Sequence, residues 1–178
     1  MKPLSLKLRA VSLLSRREHS VLELRRKLLR VAREARRKAS LAPSDEEYSA
    51  DVHESAPGLA ADLALEVDKL LVWLQAQGYL DDARFIESRV HAREQRFGSL
   101  RIKQELAQHG LALSADGQAA LKATELARAQ ALWMRKFHGV VADDLSGRAK
   151  QSRFLMARGF GPDVIRRVLR GRANPECD

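Results

Sequence analysis

A glycine followed at once by an apolar residue interrupts this chain at Gly78-Tyr79, Gly110-Leu111 and Gly159-Phe160. Each pair closes a run of apolar residues spaced three and four apart. Glycine adopts the left-handed turn that ends a helix, and the apolar residue behind it folds back onto the last turn. A chain punctuated in this way reads as a series of short helices. The stretch from Val72 to Leu111 holds most of one unit. Leu70, Leu71 and Leu74 lead to Gly78, and Asp81 and Asp82 open the next helix, where carboxylates accept from exposed amides and suit the positive end of the dipole. Phe85, Ile86 and Val90 then face inward, with Arg89, Arg93 and Arg96 on another face. After the break at Gly98, Ser99 is expected to cap a helix carrying Ile102 and Leu106.

Composition supports an all-α reading. The 178 residues include only 5% aromatics and five prolines. Good helix formers dominate, and no segment alternates apolar and polar residues as a half-buried strand does. Charge is distributed unevenly: residues 1–38 carry 13 Lys and Arg against 3 acids, residues 39–68 carry none against 8, and residues 69–178 carry 19 against 12. The balances are +10, −8 and +7. A basic body with one acidic segment suits a polyanionic partner, attracted less strongly as salt rises. Cys177 stands alone in a polar tail, which excludes a disulfide framework and fits a reducing compartment. With no signal-length apolar run at the amino terminus and no eighteen-residue apolar stretch, a cytoplasmic protein is expected.

Taken in order, Leu4, Leu8 and Val11, with Leu6, Ala10 and Leu13 beside them, predict a first helix ending near Ser15. Ser20 and Glu23 form a capping-box pattern ahead of Leu24, Leu28 and Val31. The helix from about Val21 to Lys38 is crowded with Arg and Lys. From Ala39 to about Ala60 the chain turns acidic and loses its periodicity, and a flexible linker is expected. Helix resumes with Leu63, Val67 and Leu70. Beyond Leu113, Asp116 is expected to cap one long helix containing Leu121, Leu126, Trp133 and Phe137. The two aromatics, four apart, read as core residues rather than a platform for bases. Asp143 or Asp144 caps the next helix, and Pro162 occupies the first turn of the last.

Aligning Ser20, Gly98 and Gly161 brings three segments into register without a gap. His19, Phe97 and Phe160 precede them. Leu24, Ile102 and Ile165 follow by four residues, and Leu28, Leu106 and Leu169 by eight. The residues after the first apolar position are Arg25-Arg26, Lys103-Gln104 and Arg166-Arg167, so a basic flank recurs with each unit. Helical units repeated along a chain stack in one dimension, which predicts an elongated, curved body.

Catalytic signatures are absent. His19, His53, His91, His109 and His138 are scattered without a partner at metal-ligand spacing, and no phosphate-cradling glycine loop is present. Asp81-Asp82 and Asp143-Asp144 sit at predicted helix starts, where capping explains them. No enzyme, cofactor or metal is expected.

The segments LSRREHSVLELRRKL, WLQAQGYLDDARF, RFGSLRIKQEL and RFLMARGFGPDVIRRVL together resemble the RecX family, regulators of the RecA recombinase. The resemblance spans nearly the whole chain and joins several motifs at fixed spacing. It implies tandem three-helix repeats and a protein lying in the groove of a RecA filament on single-stranded DNA. There it would inhibit ATP hydrolysis, co-protease activity and strand exchange, and so influence recombination, DNA repair and the SOS response. On this reading residues 1–80 form a first helical repeat interrupted by the acidic flexible insertion at about 39–60. Residues 81–138 form a second repeat, 139–172 a third and shorter one, and 173–178 a tail. The insertion departs from the family's usual short turn. Candidate contacts to filament or DNA are Arg25, Arg26, Arg89, Arg93, Arg101, Lys103, Arg166 and Arg167. The expected partners are the RecA filament and single-stranded, and also double-stranded, DNA, with the chain acting as a monomer away from membranes. A second reading is direct DNA binding without the recombinase, through a helix-turn-helix from Arg84 to His109; a third, an RNA-associated scaffold, lacks an RRM-like signature.

Overall fold

The computed structural model describes residues 5–40 and 56–170. Every regular element among them is helical: α1 (Leu6–Leu14), α2 (Val21–Ser40), α3 (Ala56–Ala76), α4 (Asp82–Glu94), α5 (Ser99–Ala107), α6 (Ala115–Ala123), α7 (Glu125–Phe137), α8 (Leu145–Ala157) and α9 (Pro162–Arg170). The chain divides into two compact units, Met1–Phe85 and Ile86–Asp178. Most of the acidic insertion, along with Leu4 and the tail from Gly171 onward, lies outside the described residues. The insertion's flanks are helical. α2 runs on to Ser40, and α3 starts at Ala56, ahead of the predicted Leu63. Pro57 falls in its first turn, where a missing amide loses no helical bond.

In the first unit, α1, α2 and α3 enclose a core of Ala10, Leu24, Leu28, Val67, Leu71, Leu74 and Leu80. Each fully buried Leu or Val contributes on the order of 1.5–3 kcal/mol through loss of apolar surface to water. The α1 stripe differs from expectation. Ala10 is buried with Leu6, Leu13 and Leu14 against the core, whereas Leu8 and Val11 point to solvent. Ser20 Oγ accepts from the Glu23 amide at 3.1 Å, as the capping pattern predicts. The two aspartates opening α4 divide their work. Asp81 Oδ1 accepts from Ala83 N at 2.7 Å, while Asp82 Oδ1 reaches the Val21 amide of α2 at 3.0 Å. After Gly78, the residue that folds back into the core is Leu80, not Tyr79.

In the second unit, α7, α8 and α9 share a core of Ala129, Leu132, Trp133, Leu155, Phe160, Ile165 and Val168. Trp133 is buried and Phe137 packs edge-on against Phe154, with ring centroids 5.4 Å apart, so both aromatics are core residues as predicted. The single long helix expected beyond Leu113 is two helices. Ser114, rather than Asp116, caps α6 by accepting from Gly117 N at 3.1 Å. The chain breaks at Thr124, and Arg128 fills the break. Its guanidinium donates to Leu121 O at 2.8 Å, Glu94 O at 2.7 Å and Phe97 O at 2.8 Å. One fork therefore satisfies carbonyls at the ends of α4 and α6 that no helix can serve. Burial pushes the Arg128 pKa down, with Glu125 and Glu94 opposing the shift.

Gly98, not Ser99, is the N-cap of α5. The reason lies at the end of α8. Gly98 N donates to Arg158 O at 2.8 Å, and Leu100 N donates to Gly159 O at 3.1 Å. Ser99 N donates to Glu125 Oε1 at 2.8 Å. Amides exposed at the start of one helix thus meet carbonyls exposed at the end of another. The backbones come so close that a Cβ on Gly98 would overlap Gly159 O, and one on Gly159 would overlap Arg101.

Candidate protein- and nucleic-acid-contacting surface

The three aligned turns occupy equivalent places. Leu24 N bonds to Ser20 O at 2.9 Å, Ile102 N to Gly98 O at 3.2 Å and Ile165 N to Gly161 O at 3.0 Å, each the first bond of its helix. His19, Phe97 and Phe160 before these turns are buried, as are Leu24, Ile102 and Ile165 after them. Leu28 and Leu106 are also buried; Leu169 is half-buried against the second core. The register fixes the basic flanks on the outer side of α2, α5 and α9.

The eight basic residues singled out from sequence separate into two groups. Arg25 clamps α2 to α3, donating to Asp68 from Nε at 2.6 Å and Nη2 at 2.9 Å. The paired hydrogen bonds raise the Arg25 pKa and lower that of Asp68. Arg89 lies beside His109, with Nη2 3.3 Å from Nε2. Arg93 ties α4 to α5 through Glu105 at 3.1 Å. Arg101 donates to Ala157 O of α8 at 3.1 Å and stands 3.8 Å from Glu105. These four hold helices together. The other four face outward. Arg26 and Arg167 are exposed and make no hydrogen bond or ion pair among the described residues. Among the described residues, Lys103 bonds to Gln118 of α6, at 2.9 Å, and Arg166 to Asp163 on its own helix.

Sequence reasoning named the wider basic content of α2 without choosing among it. Arg26, Arg30 and Arg33 share one exposed face at four- and three-residue steps. Arg96, on one face with Arg89 and Arg93, and Arg158 are not among the eight candidate contacts. Both lie within 6 Å of the Phe97 ring centre. For Arg96 the helical spacing was visible; for Arg158 nothing local in the sequence gave the signal.

Behind the first turn a polar cluster surrounds the buried His19. His19 Nδ1 lies 2.9 Å from Arg17 O and Nε2 lies 3.0 Å from Lys27 Nζ. The ammonium can only donate, so the ring is neutral with its proton on Nδ1. Burial lowers the His19 pKa; its backbone bond and Glu23 pull the other way. For Glu23 burial acts upward, but hydrogen bonds from Arg17 and Lys27 outweigh it and bring the carboxyl down to about 2.

Among the described residues no group of three His, Cys, Asp or Glu is placed to hold a metal ion, and no helix is long and apolar enough to cross a membrane. What the surface offers is charge: exposed guanidinium and ammonium groups on rigid helices, suited to carboxylates or phosphates.

Comparison with known proteins agrees with this architecture. Residues 81–114 match the family model for the second three-helix domain of RecX, and residues 123–169 match that for the third. The latter span takes in α7, α8 and α9, the helices that share the second core. A regulatory protein RecX from Ralstonia pickettii (strain 12J) is 43% identical over 172 residues, covering 96% of this chain and 89% of the relative. Proteins of the same name from Leptothrix cholodnii and Herminiimonas arsenicoxydans are 42% and 38% identical, covering 94% and 97% of this chain and 88% and 95% of their own lengths. With repeated helical turns, domain matches and relatives at this identity over nearly its full length, the chain belongs to the RecX family of regulatory proteins.

Proposed function

We propose that this protein is a non-enzymatic regulator that binds RecA filaments on single-stranded DNA and mainly inhibits recombinase ATPase, co-protease and strand-exchange activity. It would thereby control recombination, DNA repair and the SOS response, acting as a cytoplasmic monomer. The observation that carries the reading is the basic flank recurring at the same register on α2, α5 and α9, in a chain of the RecX family. Arg26, Lys103, Arg166 and Arg167 are the contacts we assign first, because all four are exposed and none is held in an ion pair between helices. Many weak contacts along a repetitive partner add as avidity, which a filament of identical protomers supplies. Arg25, Arg89 and Arg93 serve the same surface indirectly, by holding the helices that carry it.

The test is charge reversal at Arg26, Lys103, Arg166 and Arg167 together, with helicity and melting checked against the parent. The variant is expected to lose inhibition of recombinase ATP hydrolysis on single-stranded DNA. Full inhibition by a folded variant refutes the residue assignment. Direct DNA binding remains the second reading, favoured by the helix-turn-helix formed by α4 and α5. It predicts sequence-dependent duplex binding in the absence of recombinase, read by a salt-titrated gel shift on random and selected DNA.

A further inference from the structure

Four guanidinium groups converge on one phenylalanine. The guanidinium carbons of Arg101, Arg93, Arg158 and Arg96 lie 4.4, 5.7, 5.7 and 5.9 Å from the Phe97 ring centroid. One carboxylate, Glu105, is shared by Arg93 and Arg101. The side chains of Arg96 and Arg158 make no hydrogen bond or ion pair among the described residues. A ring face attracts a cation, but four like charges around one ring, with one carboxylate between them, leave a concentrated positive potential. The nearby α5 amides are already taken by Arg158 O, Gly159 O and Glu125, and Arg93 and Arg101 are engaged by Glu105 and Ala157 O, so the heads of Arg96 and Arg158 are the groups left to receive an anion. Their forked donors match phosphate oxygens.

Arg101 and Glu105 also line a groove of about 440 Å³ between α5 and the end of α8. Its other walls include Leu100 and Met156, both more than half exposed, and Gln104 and Gln108. Apolar surface beside amide-bearing side chains suits an exposed nucleobase, whose edge an amide can hydrogen-bond.

We propose that the Phe97 cluster and this groove form a nucleotide-binding site for single-stranded nucleic acid. A backbone phosphate sits against Arg96 and Arg158. The adjoining unstacked base lies on Leu100 and Met156, with Gln104 and Gln108 addressing its edge. A duplex keeps its bases stacked and offers none to the groove. The inference rests on the nucleic-acid side of the function proposed above. Its test contains no recombinase, so its failure leaves filament inhibition standing.

The experiment is fluorescence anisotropy of a short fluorescein-labelled oligothymidylate titrated with the full-length chain over a range of salt. Arg96→Ala with Arg158→Ala is expected to weaken binding at least tenfold and reduce the slope of log affinity against log salt by roughly 0.7, the value for loss of one single-strand phosphate contact. Leu100→Ala with Met156→Ala is expected to weaken binding with the slope unchanged. The charge-matched control, Arg135→Ala with Lys136→Ala, removes two exposed cations of α7 and is expected to bind like the parent. Arg96→Lys with Arg158→Lys is expected to restore the slope. Unlabelled single strand is expected to compete better than tripolyphosphate or a duplex of equal length. Equal losses in the Arg96/Arg158 variant and the control overturn the phosphate site. Tripolyphosphate competing as well as the strand overturns the base subsite.

Discussion

Replacing Gly98 by alanine tests the joint on which the α5 surface depends. Gly98 has φ −78° and ψ 168°, values open to any residue, so the substitution brings no intrinsic backbone strain. The obstacle is space: a Cβ would overlap Gly159 O, a backbone atom that cannot rotate away. The α5 terminus must withdraw, which breaks the bonds from Gly98 N to Arg158 O, from Leu100 N to Gly159 O and from Ser99 N to Glu125. Three such bonds at about 1 kcal/mol each total about 3 kcal/mol. Reduced freedom of the unfolded chain returns about 0.4–1 kcal/mol, leaving a net loss of about 2 kcal/mol or more. For a unit of this size that lowers the melting midpoint by roughly 8–16 °C. The chain has two tryptophans, and Trp133 is buried in the second core. In a Trp73→Phe background its fluorescence follows that unit alone. Gly161→Ala is the matched control, since it occupies the same repeat position with nothing within 4 Å of the added carbon. It is expected to change stability by less than about 1 kcal/mol. A Gly98→Ala midpoint equal to that of Gly161→Ala refutes the close-packed joint.

Three further outcomes follow from the polar contacts. The His19 pKa is lowered in the fold, so the neutral ring stabilises the protein above its unfolded pKa of about 6.5, and that contribution falls as pH drops below this value toward the folded one. Urea midpoints are expected to decline over that interval, and His19→Phe, the residue found at the matching positions 97 and 160, is expected to flatten the decline; an unchanged profile contradicts the buried neutral ring. The Glu23 carboxyl is held at about 2 against an ordinary 4.5, so its contribution is complete above 4.5 and lost as pH falls through 2; Glu23→Gln is expected to remove that acid limb from a circular-dichroism titration. Arg128→Lys keeps the charge but cannot reach Glu94 O, Phe97 O and Leu121 O at once, so a loss of about 2 kcal/mol or more is expected in Trp133-detected unfolding. Parental stability in that variant contradicts the three-carbonyl fork.

The helical units were legible because their signals are local. Gly78, Gly110 and Gly159 do take positive φ, at 72°, 72° and 82°. The Ser20, Gly98 and Gly161 register lands on the first bond of three helices. What sequence could not supply is the partner of each polar group across the fold. Ser99 looked like a cap because serine usually caps, but its amide belongs to Glu125 and the turn needs a glycine for the approach of α8. The α6–α7 break was hidden because Thr124 is tolerable within a helix, and the fork that stabilises the break, Arg128, draws carbonyls from three segments. In α1, leucines and alanine occur on more than one face, so periodicity alone favoured the wrong stripe. The basic surface was legible as charge but not as geometry. Arg25 and Lys103 look alike in sequence, yet Asp68 engages one bidentately and a single amide oxygen engages the other. The Phe97 cluster needed α8 to arrive beside α5, and the Arg101 contact that marks this joint spans 56 residues.

The proposed regulation of a recombinase filament is tested by ATP hydrolysis of the cognate RecA on single-stranded DNA, titrated with the full-length chain from far below to above the recombinase concentration. Strong inhibition at substoichiometric amounts is the predicted result, since one molecule bridging or stopping a filament silences many protomers. Unchanged hydrolysis at excess folded protein, with the DNA saturated by recombinase, contradicts the account.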